Sequence, residues 1–316
     1  MPKRAPHRVS KETHLKVIVI LLLAVVLLLW LVHCAGPKSV REQRLPARSE
    51  QTAERTEMPG KANRPDLSDP QGRLDQSNQP GHRVYGTQLE LPFYTDSTFI
   101  VRHPEARYTL RYDTSYRQAA WVAYLLTRSE VGRKDAERTN AFRCDPEVVR
   151  RGWPTARDRD YARSGYDRGH LLPSADRDDM PSENRATFYL SNVSPQCAGL
   201  NRQTWRLLEE QVRRWAAAYD SLYVVTGPEL VPGLPRIKGG VGVPRRYFKA
   251  LLVWHGGRYH AIAFLIPNRE RVEGGFGDYA LSVNDLERQL GCDLFWRLPD
   301  SIEERVEGDL DRTFWK

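Results

Sequence analysis

Cysteine is scarce and unpatterned. Only Cys34, Cys144, Cys197 and Cys292 occur in 316 residues, with no CxxC pair and no Cys/His spacing suited to structural zinc. That excludes a disulfide-stapled scaffold and a zinc-built fold; setting Cys34 aside, the remaining three allow one disulfide at most. Internal repeats are absent, which excludes a solenoid or propeller. Lysine is rare after residue 81: Lys134, Lys238, Lys249 and Lys316 stand against 31 arginines. Arginine's planar fork fits phosphate oxygens in a bidentate way, though codon bias toward arginine is the favoured account of the excess. Net charge does not decide the matter. Of the formal +8, residues 1–81 supply +5 (13 Lys+Arg, 8 Asp+Glu) and residues 82–316 only +3 (35 and 32). A balanced domain is not marked as a polyanion binder by bulk charge. With 40% apolar residues the chain has enough material for a core.

The one long apolar run is Val17 to Val32, extended weakly by Cys34, Ala35 and Gly36. It is apolar all round, follows five cations (Lys3, Arg4, Arg8, Lys11, Lys16), and carries Trp30 near its end. A spanning helix needs about 20 apolar residues and a signal-peptide core about 7–15. We therefore read 1–16 as a basic cytoplasmic segment and 17–36 as an uncleaved single-pass transmembrane signal anchor. Cleavage near Cys34–Gly36 and a buried core helix are the alternatives. The positive-inside rule then puts the bulk of the chain on the non-cytoplasmic side, periplasmic or extracellular. Residues 37–81 are rich in Pro, Gln, Arg, Ser and Asp without apolar periodicity, and read as a disordered linker holding a domain off the membrane.

The folded domain is expected over 82–316. Strands are predicted at Thr98–Val101, Tyr108–Tyr112, Ala119–Leu126, Leu222–Thr226, Phe248–Trp254 and Tyr259–Ile266. The last two flank His255-Gly256-Gly257-Arg258, a hairpin signal. A helix is predicted from about Leu200 to Tyr219, where Trp205, Leu208, Val212, Trp215 and Tyr219 recur at steps of three and four. A second spans about Ser282 to Leu290, with Ser282 as cap and Gly291 as stop. Without regular βαβ alternation, the class is α+β, with a mixed, largely antiparallel sheet.

Three segments carry chemistry. Tyr166-Asp167-Arg168-Gly169-His170 sets a candidate base beside a phosphate fork. Phe188 to Gln196 reads as a short strand ending in a polar turn and holds Asn192. The long helix then opens with Asn201 and reaches Glu209 eight residues on; on an ideal helix the two project about 80° apart, with Trp205 packing inward between them. The order is a ββα unit offering a base, a neutral oxygen ligand and a carboxylate. That set suits a hard cation such as Mg²⁺ and hydrolysis of a phosphodiester by water.

These segments resemble the DNA/RNA non-specific endonuclease family, of the ββα-metal, endonuclease G-like type. The resemblance continues through Val225-Thr226-Gly227-Pro228, Val243-Pro244 with Phe248-Lys249, Ala263 to Asn268, and Ser282-Val283 with Leu286-Glu287. It spans roughly residues 84–310. It implies His170 as general base, Asn201 as the one direct protein ligand to Mg²⁺ (or Mn²⁺ or another divalent cation), and Glu209 as a group orienting water at the metal. It implies Arg168 as a phosphate contact and Asn192 as a support for the site. The substrates implied are DNA and RNA, held by their backbones with little sequence preference. Relatives can be dimeric, so a homodimer is compatible. One departure stands out: the family often places another phosphate-contacting Arg shortly before an Asp-Pro pair. Before Asp145-Pro146 that place falls on Asn140, with Arg138 and Arg143 as substitutes. The competing reading is a membrane-tethered nucleic-acid-binding protein without catalysis.

Overall fold

The computed structural model describes residues 88–316. The expected basic segment, the anchor, the whole linker and residues 82–87 of the expected domain lie outside the described residues. Among the described residues no helix is long and apolar enough to cross a membrane.

The elements run in this order: β1 (Ile100–His103), β2 (Tyr108–Asp113), β3 (Gln118–Thr127), α1 (Pro146–Arg150), α2 (Asp158–Tyr161), β4 (Asp167–His170), α3 (Pro181–Thr187) and β5 (Val193–Gln196). A π-helical turn at Leu200–Trp205 leads into α4 (Arg206–Tyr219). Then come β6 (Ser221–Pro228), β7 (Arg246–His255), β8 (Arg258–Pro267), β9 (Ala280–Leu281), α5 (Val283–Leu290) and α6 (Asp300–Gly308). Seven strands form one sheet in the order β1-β2-β3-β6-β7-β8-β9, while β4 and β5 pair only with each other. Every named ladder is antiparallel. The mixed sheet of the sequence reading is therefore more uniform than expected; among the described residues the one parallel pairing is the isolated bridge between Arg143 and Tyr189.

Period-two alternation splits the strands between two cores. Tyr124, Leu126, Val224, Leu251, Val253 and Phe264 face one side and pack with Leu208, Val212 and Trp215 of α4. Trp121, Ala123, Val225, Ala250, Leu252 and Leu265 face the other and pack with Val283 and Leu286 of α5. The sheet is thus buried on both faces, and β6, inside it, has no exposed residue. Trp205 is fully buried and Trp215 nearly so; truncating either to Ala would cost about 3–5 kcal/mol.

Local chemistry explains the boundaries. Gly256 and Gly257 have φ of 59° and 78°, the left-handed pair a two-residue hairpin needs, and His255 faces Arg258 across it. The Ser282 hydroxyl accepts from the Asp285 amide at 3.1 Å, and Gly291 ends α5 at φ 65°. Sequence reading passed over α1, α3 and α6. Each opens at or just after a proline, a preferred first-turn residue, and in α1 Asp145 caps the start by accepting from the Glu147 amide at 2.8 Å. The chain between β3 and β6 leaves the sheet altogether, and it carries the site.

Candidate active site

The site is built around the β4–β5 ribbon. Asp167 lies opposite Gln196, Gly169 opposite Ser194, and His170 opposite Val193. Gly169 is needed for closeness: a Cβ there would lie 2.2 Å from Gln196 Oε1. Arg168 and His170, two apart, share a face. The Arg168 guanidinium sits 4.6 Å from the Phe142 ring centre, and the His170 ring 5.4 Å from the same ring. Phe188 meets His170 edge-on at 5.0 Å. His170 is only 8% exposed, and its Nε2 is sealed in protein without a hydrogen-bond partner. Burial, with the Arg138 charge adding to it, lowers its pKa to about 3. His170 is therefore a neutral imidazole throughout the physiological range.

Asn192 lies in a 3-10 turn, Leu190–Asn192, just before β5. The strand is the polar part, Val193–Gln196, and the turn precedes it, the reverse of the predicted order. The Asn192 side chain is fully buried and held by backbone. Its Oδ1 accepts from the Leu172 amide at 2.9 Å, while its Nδ2 donates to the carbonyls of Leu172 at 2.9 Å and Thr187 at 2.8 Å. It locks the chain two residues past His170.

The helix opens on Asn201, and here the predicted geometry changes. A π turn is wider than an α turn, so the ideal-helix angle between Asn201 and Glu209 does not apply; such turns are frequent at functional sites. Glu270 satisfies the amides that enter it, accepting from Ala198 at 3.2 Å and Gly199 at 3.0 Å. Asn201 Nδ2 donates to Asp167 Oδ2 at 3.0 Å. Because a carboxylate only accepts, the Asn201 carbonyl oxygen is the end left free for a ligand. Arg202 grips the same carboxylate at 2.7 and 2.6 Å. Burial raises the Asp167 pKa, but hydrogen bonds from Arg202 and Asn201 outweigh it and leave it lowered. Asp167 thus ties the helix mouth to the strand bearing Arg168 and His170.

Glu209, half-buried, faces a charge cluster that sequence reading did not assemble. Burial raises its pKa; Lys249 is the strongest opposing influence, Asp176 reinforces the rise, and Arg213 opposes it. Asp176 accepts from Tyr124 and from Arg213, both at 2.9 Å. Of the upstream arginines, Arg138 is the one whose charge reaches His170. It donates to Asn140 at 2.8 Å and Ser174 at 2.9 Å. Arg143 turns to the Arg185 carbonyl and the Tyr189 ring instead. Arg168 is paired with Asp158. Cys144, Cys197 and Cys292 are unpaired.

Among the described residues no cluster of three or more His, Cys, Asp or Glu side chains could hold a metal ion. The Asn201 oxygen, on a side chain held by the Asp167 carboxylate at the end of the strand that carries Arg168 and His170, fits a hard cation whose shell is completed mostly by water and substrate. An imidazole and a guanidinium on one strand of a two-stranded ribbon, with an amide oxygen on the helix that follows, are the arrangement of the ββα-metal class. The sequence pattern of the DNA/RNA non-specific endonuclease family matches residues 95–301, and the chain belongs to that family. It is an enzyme of the nuclease class, and the family is one of divalent-metal-dependent nucleases. It is 35% identical over 214 residues to a nuclease of Nostoc sp., covering 65% of this chain and 77% of that one. It is 32% identical over 226 residues to the mitochondrial endonuclease G of Bos taurus, covering 67% and 75%. A solved EndoG/EndoGI complex contains a chain with TM-score 0.58 and 27% identity, covering 67% of this chain and 90% of that chain.

Proposed function

We propose that the protein is a Mg²⁺-dependent endonuclease acting on DNA and RNA backbones, with His170 as general base. The observation that carries the reading is the Asp167–Asn201 bond, which brings an amide oxygen to the strand holding Arg168 and His170. Asn201 would hold the cation through its carbonyl oxygen. When bound, a hard divalent ion supplies neutralisation of charge at the phosphodiester. His170, kept unprotonated by burial, takes a proton from the attacking water. Glu209 orients water beside it. Arg168, released from Asp158, meets a non-bridging phosphate oxygen, and Arg138 stands near the same place as a second fork. Asn192 holds the His170 loop in register and touches no substrate. Contacts of this kind read backbone, so sequence preference is small and affinity falls with salt. In our reading residues 17–36 tether this domain, through the 37–81 linker, to the non-cytoplasmic face of a membrane.

The test is plasmid cleavage by the full-length chain in Mg²⁺ or in excess chelator, beside His170→Ala. Metal-dependent nicking that falls by about 10²–10⁴-fold in the variant supports the assignment. Undiminished nicking by folded His170→Ala removes His170 as base. Plasmid bound but left intact by the wild-type chain in Mg²⁺ selects the non-catalytic binding reading.

A further inference from the structure

Lys249 is a buried ionisable group that the mechanism above does not use. It lies on β7, inside the sheet, on the face shared by Leu251 and Val253, where alternation calls for an apolar residue. It is fully buried, and its Nζ has no hydrogen-bond partner. An ammonium in such a place is strongly unfavourable unless an opposite charge compensates it. Two carboxylates, Glu209 and Asp176, act on it. Its Nζ stands 5.1 Å from the ring centre of Trp205, and Trp205 lies one helical turn before Glu209, where side chains at i and i+4 are neighbours.

We propose that Lys249 is a positioning residue for catalysis: from the sheet beneath α4 it supplies the buried positive charge that keeps the Glu209 carboxylate ionised. This rests on the role given to Glu209 above. The cluster holds two carboxylates, Glu209 and Asp176, and two cations, Lys249 and Arg213. Asp176 has its own partners, Arg213 and the Tyr124 hydroxyl, both at 2.9 Å. Arg213 is thereby engaged by Asp176 and acts on Glu209 less than Lys249 does, which makes Lys249 the main counter-ion of Glu209. Remove Lys249 and two half-buried or buried carboxylates share one cation. The less supported of them, Glu209, takes a proton. The mutual influence runs both ways: burial lowers the Lys249 pKa, and Glu209 and then Asp176 raise it back. A protonated Glu209 no longer accepts hydrogen bonds at both oxygens and cannot orient water as the ionised group does.

The experiment is an infrared carboxyl titration of the full-length, metal-free chain, with Glu209 isolated by subtracting the Glu209→Gln spectrum. Lys249→Met, which keeps length and apolar bulk, should raise the Glu209 midpoint by about one pH unit or more, a tenfold loss of the ionised form below it. Its melting temperature should fall, and fall less at lower pH where Glu209 takes up a proton, because removing one partner of a buried pair leaves the other charge uncompensated. Lys249→Arg keeps the charge and should leave the midpoint near its wild-type position. In Mg²⁺, the acid limb of the Lys249→Met cleavage profile should move up by the same amount. An unmoved midpoint in folded Lys249→Met overturns the proposal. If Met or Arg does not fold, the ¹⁵Nζ shift of Lys249 in the wild-type chain decides it: a neutral amine at the pH where Glu209 is ionised is the refuting result. The titration needs neither metal nor substrate, so its outcome is independent of whether plasmid is cut.

Discussion

Consider Asp167→Asn, which changes one oxygen to nitrogen at the joint between β4 and the helix mouth. Two kinds of contact are lost in part. The Arg202 pair is exposed on its cationic side, where 69% of the side chain is accessible, and such pairs contribute about 0–1 kcal/mol. The hydrogen bond from Asn201 at 3.0 Å goes to a charged acceptor, a class worth roughly 1.5–3 kcal/mol. An asparagine at 167 keeps one acceptor oxygen, so about half of that survives. The expected loss of stability is about 1–2 kcal/mol, or a melting temperature lower by roughly 2–8 °C for a domain of this size. The functional loss should be larger. An amide at 167 can present its NH₂ to Asn201 and turn the Asn201 oxygen inward, away from the cation. Partners that orient a ligand are typically worth 10–100-fold in metal affinity or activity. The assay is initial cleavage rate against Mg²⁺ concentration, with a melt of the same samples. A half-saturating Mg²⁺ concentration within about twofold of wild type, in a folded variant, would falsify the claim that Asp167 aims the Asn201 oxygen.

Three further outcomes are expected. His103 donates toward Asp145 at 2.9 Å and Glu105 at 3.0 Å; burial alone would lower its pKa, yet these carboxylates raise it. Its share of stability is therefore complete below about pH 6.5 and fades as pH climbs through the raised value. Asp145, whose pKa is lowered, supplies its share above about pH 4 and loses it in acid. His103→Gln should cost about 3 kcal/mol at pH 6 and clearly less at pH 9 in urea unfolding; equal losses at the two pH values would refute this. Gly169→Ala places a methyl 2.2 Å from Gln196 Oε1. It should cost about 1–3 kcal/mol and most of the cleavage activity, and a variant with wild-type melting and rate would show that the ribbon can give. Excess chelator should abolish nicking while leaving filter-retained DNA binding measurable at low salt, and adding Mg²⁺ back should restore it.

What was legible in the sequence was local. The β7–β8 hairpin could be placed because Gly256-Gly257 is a turn signal between two alternating runs. The α5 helix could be placed because Ser282 and Gly291 bracket it in cap chemistry. The failures are also physical. Phe188 to Leu190 looks like a strand by composition, and Pro195 argues against one further on. The chain does the opposite, because β5 pairs on one side only, and an edge strand tolerates a residue without an N–H. The Asn201–Glu209 angle failed because the first turn of that helix is π, which no apolar period reports. The short helices α1 and α3 were missed for lack of length, though Asp145-Pro146 was a readable start signal.

The charge cluster behind Glu209 was hidden for a deeper reason. Asp176, Glu209, Arg213, Lys249 and Tyr124 come from a loop, a helix and two strands, and no spacing rule joins them. Their meeting follows from the crossover between β3 and β6 laying α4 across one sheet face, and from the parity that turns Lys249 toward it. Motif residues such as His170 and Arg168 are recognisable because their neighbours in the chain are their neighbours in space. The groups that set the charge state of the site are held by tertiary packing, where a lysine in an apolar strand looks like an error of pattern. That irregularity was itself readable: Lys249 breaks the run from Phe248 to Trp254 at the position facing the helix. A cation kept where packing calls for a hydrophobe marks a site that needs the charge.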